Sequence, residues 1–296
     1  MLRNALLLIA AGALAAVALA QQPARPPFAT TKVEGTDNVY SFRNGNHQAM
    51  FIVTDEGVIA TDPVAYGRPT GGQTYVDEIR KVTNKPIKYL IYSHHHYDHI
   101  AGGKAFKDAG ATVVAHWKAK QRLEQLKDPH TVLPDEAVPD SGRTLKLGNT
   151  VLELKYMGLN HSDTNLVMLL PKEKLVFIVD TLPVGQVPGR GMIDFHPLET
   201  EQFIKEVIAL DWDRLIPGHP GPGDRLGTRK DAQDQLVLLQ SASAEDEEAR
   251  AGRQVLGHRR EGVQAVGLRV VARLRERRAV HRAAVLRPVG SRNVMR

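Results

Sequence analysis

The chain has 296 residues, 42% of them hydrophobic, and no cysteine, which excludes a disulfide framework and leaves no thiol open to oxidation, as suits an exported protein. Its net charge of +6 misleads about partners. Residues 249–296 carry 13 arginines against Glu261 and Glu276, a net of +11, which leaves −5 for residues 1–248 and argues against a nucleic-acid surface on the body of the chain.

Taken in order, residues 1–20 read as a secretory signal peptide: Arg3 is the positive start, residues 6–19 the apolar core, and Ala18-Leu19-Ala20 the small-residue cleavage site. The segment is too short for a membrane span, and the Pro-rich mature N-terminus at 21–27 follows at once. A periplasmic or secreted protein is expected, with no stable membrane insertion after signal removal. One catalytic domain is expected over residues 28–240.

Within that domain, residues 50–53 and 57–61 read as strands around an Asp55-Glu56-Gly57 turn. A short amphipathic helix spans 75–82, and Pro86 separates it from a buried strand at 89–92. Gly102-Gly103 reopens into a helix, a strand covers 111–115, and a helix covers 117–126. Residues 144–157 hold two strands about Gly148-Asn149, and 166–170 and 175–179 form a further pair. A helix at 198–210, a strand at 214–216 and a helix at 228–239 complete the pattern. Such alternation implies an α/β sandwich, with sheets inside and helices outside.

Directly after the 89–92 strand comes His94-His95-His96-Tyr97-Asp98-His99, an H-x-H-x-D-H cluster. A strand end is where the chain can turn and converge several ligands, and imidazole with carboxylate suits zinc, less decisively iron or manganese. Four ligand-type residues in six outweigh a solvated polar loop. Further on, His161 lies in a polar loop before a strand, and His219 lies in the glycine-rich turn Pro217-Gly218-His219-Pro220-Gly221. Asp180 ends an apolar strand, a poor place for a carboxylate unless something neutralises it. Alone, each could be an ordinary loop histidine or a turn cap; joined to the cluster they become ligand candidates.

Residues 241–296 form an Arg-rich tail with no lysine after Lys230 and no aromatic after Trp212. A basic arm for nucleic acid or anionic lipid is one reading, and an amphipathic helix is another, although residues 263–271 keep no clean helical period. A shifted reading frame accounts better for the composition, because Arg, Ala, Val and Gly dominate shifted translations of GC-rich genes. The tail is therefore expected to be frameshifted or disordered.

The ordered set H-x-H-x-D-H, loop His, strand-terminal Asp and late Gly-His resembles the metallo-β-lactamase superfamily over residues 28–239. The resemblance implies a four-layer αββα sandwich with two zinc ions at one edge. It implies that His94, His96 and His161 hold the first metal, that Asp98, His99 and His219 hold the second, and that Asp180 bridges them. His95 and Tyr97 point the other way in an extended segment. His47, His116, His130 and His196 match no ligand position, and His47 and His196 are placed at the site mouth at most.

Two cations about 3.5–4 Å apart would generate hydroxide from a shared water for attack on a carbonyl, with Asp98 orienting the nucleophile or passing a proton to the leaving group. No G-x-S-x-G elbow is present. The expected partner is a small-molecule ester, lactone, thioester or amide, with no nucleic acid. A true class B metallo-β-lactamase is the nearest alternative. Against it, Asp180 stands where the best-known subclass has a cysteine, and Thr181-Leu182-Pro183 replaces the basic residue that grips substrate, with Arg190 read equally as a substitute or as a surface-loop residue. The tyrosine that lactonases place after the bridging Asp is also missing. A mononuclear iron oxidoreductase resembling persulfide dioxygenases, and a metal-binding protein without turnover, are the remaining alternatives.

Overall fold

Residues 47–53 carry apolar side chains on both faces, so the strand they form must be covered on both. Met50 and Ile52 point into one core with Leu166, Met168 and Leu170, while Ala49 and Phe51 point into another with Tyr75, Val76 and Ile79. That alternation, repeated along the chain, sets the layers of the computed structural model, which describes residues 25–187 and 195–256. The segment read as a signal peptide at 1–20, Arg190 and the tail beyond residue 256 lie outside the described residues.

The first sheet places β1 (Phe28–Lys32), β2 (Val39–Asn44), β3 (His47–Val53), β4 (Val58–Thr61), β5 (Ile87–Ile91), β6 (Thr112–His116) and β7 (Glu136–Val138) side by side. Its first four strands are antiparallel, and β4 to β7 are parallel. The second sheet holds β8 (Arg143–Leu147), β9 (Thr150–Tyr156), β10 (Leu166–Leu170), β11 (Leu175–Ile178), β12 (Arg214–Pro217) and β13 (Gly227–Thr228), with β11 and β12 parallel. Between the sheets lies one apolar core. Helices α1 (Gly71–Val82), α2 (Tyr97–Ile100), α3 (Gly103–Asp108) and α4 (Trp117–Leu126) follow strands of the first sheet, and α1, α3 and α4 cover its outer face through Tyr75, Phe106 and Leu123. Phe203 and Val207 of α5 (Pro197–Ala209) and Ala232 and Leu239 of α6 (Arg229–Leu256) cover the second sheet. The result is the αββα sandwich.

Four strands escape the sequence reading, among them the two-residue β13, part of which reads in the sequence as the start of the last helix. β1, at the edge of the sheet, and its neighbour β2 mix polar with apolar residues, and β7 is only three residues long. Helix α1 also starts earlier than its hydrophobic period, at Gly71-Gly72, because a close backbone approach is needed there: a Cβ on Gly72 would lie 2.3 Å from the Gly102 carbonyl oxygen. Helix α6 runs past residue 240, where the sequence placed the domain boundary.

Candidate metal centre

Parallel strands end at a common edge, and the segments that leave those ends carry the ligand-type side chains. β4 runs into Asp62, β5 into residues 94–99, β11 into Asp180 and β12 into His219, while His161 comes from the β9–β10 loop and His47 opens β3. Two groups form. His94, His96, His161 and Asp180 make one, and His47, Asp98, His99 and His219 make the other, with the donor atoms of each group within 4.8 Å of one another. All seven ligand candidates from the sequence are brought together, and His47 joins them.

Asp180 touches both groups. Its Oδ2 lies 3.5 Å from His94 Nε2, 3.3 Å from His161 Nε2 and 3.2 Å from His99 Nε2, and its Oδ1 lies 3.0 Å from His219 Nε2. Asp180 holds this position at a φ of 63°, in the left-handed region that Asp tolerates better than most residues. Val64, a β-branched residue at φ 46°, carries more strain two residues past Asp62.

The imidazoles are oriented from behind. Ser93 Oγ pairs with His94 Nδ1 at 2.9 Å, which leaves His94 Nε2 toward Asp180. His219 Nδ1 donates to the Asn46 carbonyl oxygen at 2.5 Å, which leaves its Nε2 toward Asp180 as well. His161 Nε2 and His96 Nδ1 face one another at 3.0 Å. Asp62 is fully buried; its Oδ1 accepts from the Ser93 amide at 2.7 Å, and its Oδ2 lies 3.7 Å from His99 Nδ1.

Burial pushes the His94 imidazole well below its ordinary pKa, so it is neutral and able to ligate. Burial also disfavours charge on His99, but the carboxylates of Asp180, Asp62 and Asp98 outweigh it and raise its pKa to about 9. For Asp180 burial opposes ionisation, and the surrounding imidazoles of His99, His219 and His94 overcome it, holding the carboxyl well below the usual range. Burial raises Asp62 to about 6.

The donor set fits a divalent zinc-class cation. His94 Nε2 and both ring nitrogens of His99 are buried with no aligned hydrogen-bond partner, a costly arrangement for polar atoms unless a ligand completes it. Bonds of about 2.0–2.1 Å in a tetrahedron place neighbouring donors about 3.3 Å apart, and the contacts of 3.0–3.5 Å around Asp180 and Asp98 match that spacing.

His95 stays outside both groups, as its place in the extended segment implies. Its Nδ1 pairs with Thr164 Oγ1 at 2.9 Å, and Arg122 Nη1 lies 3.1 Å from its Nε2. Arg122 also grips Asp163 through two bonds of 2.8 and 2.9 Å, tying α4 to the His161 loop. His116 sits elsewhere, stacked on Tyr156 and 2.9 Å from Asp140.

Sequence reasoning missed Asp62 and placed His47 no closer than the mouth. For Asp62 the signal was available: a carboxylate ending an apolar strand, the same argument that singled out Asp180. His47 had no local signal, because only the folding of the β2–β3 turn onto the His219 loop brings it in.

Comparison with known proteins adds to this geometry. A family model described as the metallo-beta-lactamase superfamily matches residues 44–224. The chain is 24% identical over 196 residues to the 2,4-dinitroanisole O-demethylase subunit alpha of Nocardioides sp. (strain JS1661), covering 66% of this chain and 58% of that protein. It is 25% identical over 191 residues to a metallo-beta-lactamase type 2 of Elizabethkingia meningoseptica, covering 61% and 69% of the two chains. Among solved structures, a metallo-beta-lactamase from Pontibacter korlensis superposes with a TM-score of 0.62 at 20% identity, covering 72% of this chain and 99% of that one.

Proposed function

Because the chain belongs to the metallo-β-lactamase superfamily, we propose that it is a secreted dinuclear zinc hydrolase acting on the carbonyl of a small-molecule ester, lactone, thioester or amide. The observation that carries this reading is Asp180, whose two oxygens reach His94 and His161 on one side and His99 and His219 on the other. In this reading His94, His96 and His161 hold one ion, Asp98, His99 and His219 hold the other, and Asp180 is shared. A bound pair of zinc ions supplies Lewis acidity, which lowers the pKa of water and polarises a carbonyl.

The chain's own residues do the rest. Fully buried His94 and His99 form the dry floor of the site, and Asp98 and His219, about one-third exposed, face the opening. Asp98 Oδ2 lies 3.2 Å from His47 Nε2 and 3.5 Å from His99 Nε2, so this carboxylate can orient the nucleophile or hold a proton for the leaving group. Thr181 is turned inward, bonded to Asn160 at 3.1 Å and Asn165 at 3.0 Å, and Leu182 is buried. Residues 181–183 thus offer no cation to a substrate carboxylate, which favours neutral carbonyl substrates over β-lactams. Export rests on the signal peptide; among the described residues no helix is long and apolar enough to cross a membrane.

The test is elemental analysis of protein purified without added metal, followed by chelation and a substrate panel. Two zinc ions per chain, with hydrolysis lost on chelation and restored by zinc, is the expected result. The panel covers esters, lactones, thioesters and β-lactams, with a nitroaryl methyl ether added because of the demethylase relative. One iron per chain, or no metal, would overturn the reading.

A further inference from the structure

We infer that His47 is a further protein donor to the cation in the Asp98 pocket, a third histidine beside His99, His219, Asp98 and the shared Asp180; this rests on the dinuclear reading above. His47 opens β3 and, by alternation, shares the outer face of the sheet with Ala49 and Phe51, the side on which α2 presents Asp98 and His99. Its Nε2 lies 3.2 Å from Asp98 Oδ2, a spacing at which two donors can share one zinc-class ion. Its ring centroid lies 4.7 Å from that of His219 and 5.3 Å from that of His99, so three imidazoles and one carboxylate converge on one point.

Neither neutral form of His47 is satisfied without a cation there. With the proton on Nε2, the ring donates to Asp98, and Nδ1 is left buried with no partner. With the proton on Nδ1, the Nε2 lone pair faces a carboxylate oxygen, a repulsion that only an intervening positive charge removes. Fully buried His99, with both ring nitrogens lacking an aligned partner, points to the same centre.

The position of His47 is enforced from a distance. The Gln48 amide donates to the Gly218 carbonyl oxygen at 2.7 Å, and His219 Nδ1 donates to the Asn46 carbonyl oxygen at 2.5 Å. The β2–β3 turn and the His219 loop are therefore locked together, each delivering one imidazole. An added nitrogen donor selects zinc-class ions over magnesium, calcium or manganese in this pocket and leaves it fewer open positions.

The experiment is a competition titration of the metal-free full chain with zinc against a chromophoric chelator, run on wild type, His47→Ala, His47→Gln and Asp98→Ala. Cobalt(II) spectra of the first and second equivalents are recorded in parallel. Both His47 substitutions are expected to weaken the second equivalent at least about tenfold, leave the first unchanged and alter only the second cobalt spectrum. Wild-type affinity and spectra in both His47 variants, with the second equivalent lost in Asp98→Ala, would overturn the role of His47 and leave the dinuclear reading standing. A wild-type chain that takes up fewer than two zinc ions overturns both. Loss of both equivalents in the His47 variants also counts against it, since a donor to one pocket leaves the other intact.

Discussion

The two pockets of the site are assembled in different ways. His94, His96 and His161 come from two neighbouring segments, the exit of β5 and the β9–β10 loop, with Leu166 of β10 donating its amide to the Ser93 carbonyl oxygen at 2.8 Å. His47, Asp98, His99 and His219 come from β3, α2 and the end of β12, and 173 residues separate the two partners of the Asn46–His219 contact that locks them. Each pocket has a fully buried histidine as its floor, His94 in the first and His99 in the second, but Asp98 and His219 of the second are 34% and 32% exposed. One pocket thus joins two segments across the sandwich, and the other needs three to dock. The second should be the more easily emptied, and substitutions should separate the two.

The largest effect belongs to the residue common to both. Asp180→Ala removes the carboxylate that contacts His94, His161, His99 and His219, and leaves these imidazoles facing one another without it. Zinc content is expected to fall below one ion per chain, and hydrolysis to drop by more than about 100-fold, beyond what loss of an outer supporting group causes. Asp98→Ala should instead cost one ion. Retention of two ions by Asp180→Ala, measured by elemental analysis after gel filtration, would show that the carboxylate is not shared.

The same contrast explains how much was legible in the sequence. The α/β sandwich followed from strands such as residues 166–170, apolar on both faces, alternating with amphipathic helices such as 117–126, and the resemblance supplied its four αββα layers. The candidate ligands of both pockets, His47 excepted, could be read because they lie in or next to conspicuous polar turns at the ends of apolar strands. His47 could not, since a single histidine before a strand looks the same whether it faces solvent or a metal, and the contact that decides it lies across the sandwich. Asp62 could have been found; it follows buried Thr61 as Asp180 follows buried Val179. β1 was hidden because a strand at a sheet edge lacks the strong apolar pattern of central ones, and β2 because Ser41, Arg43 and Asn44 interrupt its apolar residues.

Asp62→Asn probes the second pocket with an intermediate effect. The amide retains an acceptor for the Ser93 N–H but removes the charge facing His99 Nδ1. Affinity for the second zinc is expected to fall about 10- to 100-fold, with the first ion held nearly as before. The metal-free protein should respond in the opposite sense. Burial raises Asp62 from 3.8 to about 6, so the stability tied to its neutral form is intact below pH 3.8 and lost as pH rises through about 6. Denaturant unfolding of the metal-free wild type should therefore weaken across that window by on the order of 1–3 kcal/mol, and Asp62→Asn should flatten the slope. A variant that tracks the wild type at every pH would remove Asp62 from the account.

The smallest effect is expected at the clasp behind the first pocket. Arg122 and Asp163 are 38% and 37% exposed, so their ion pair is largely screened, and its loss in Arg122→Ala should cost at most about 1 kcal/mol. That corresponds to a fall in Tm of roughly 2–4 °C for a domain of this size. The clasp nonetheless ties α4 to the loop carrying His161 and closes over His95, so any loss of metal affinity should appear in the first zinc equivalent and not in the second. Salt should reproduce part of the stability change in the wild type and little of it in Arg122→Ala, because screening removes what the substitution has already removed. If Arg122→Ala weakened the second equivalent instead, the two pockets would be coupled through α4, and their separate construction would not be the right description of the site.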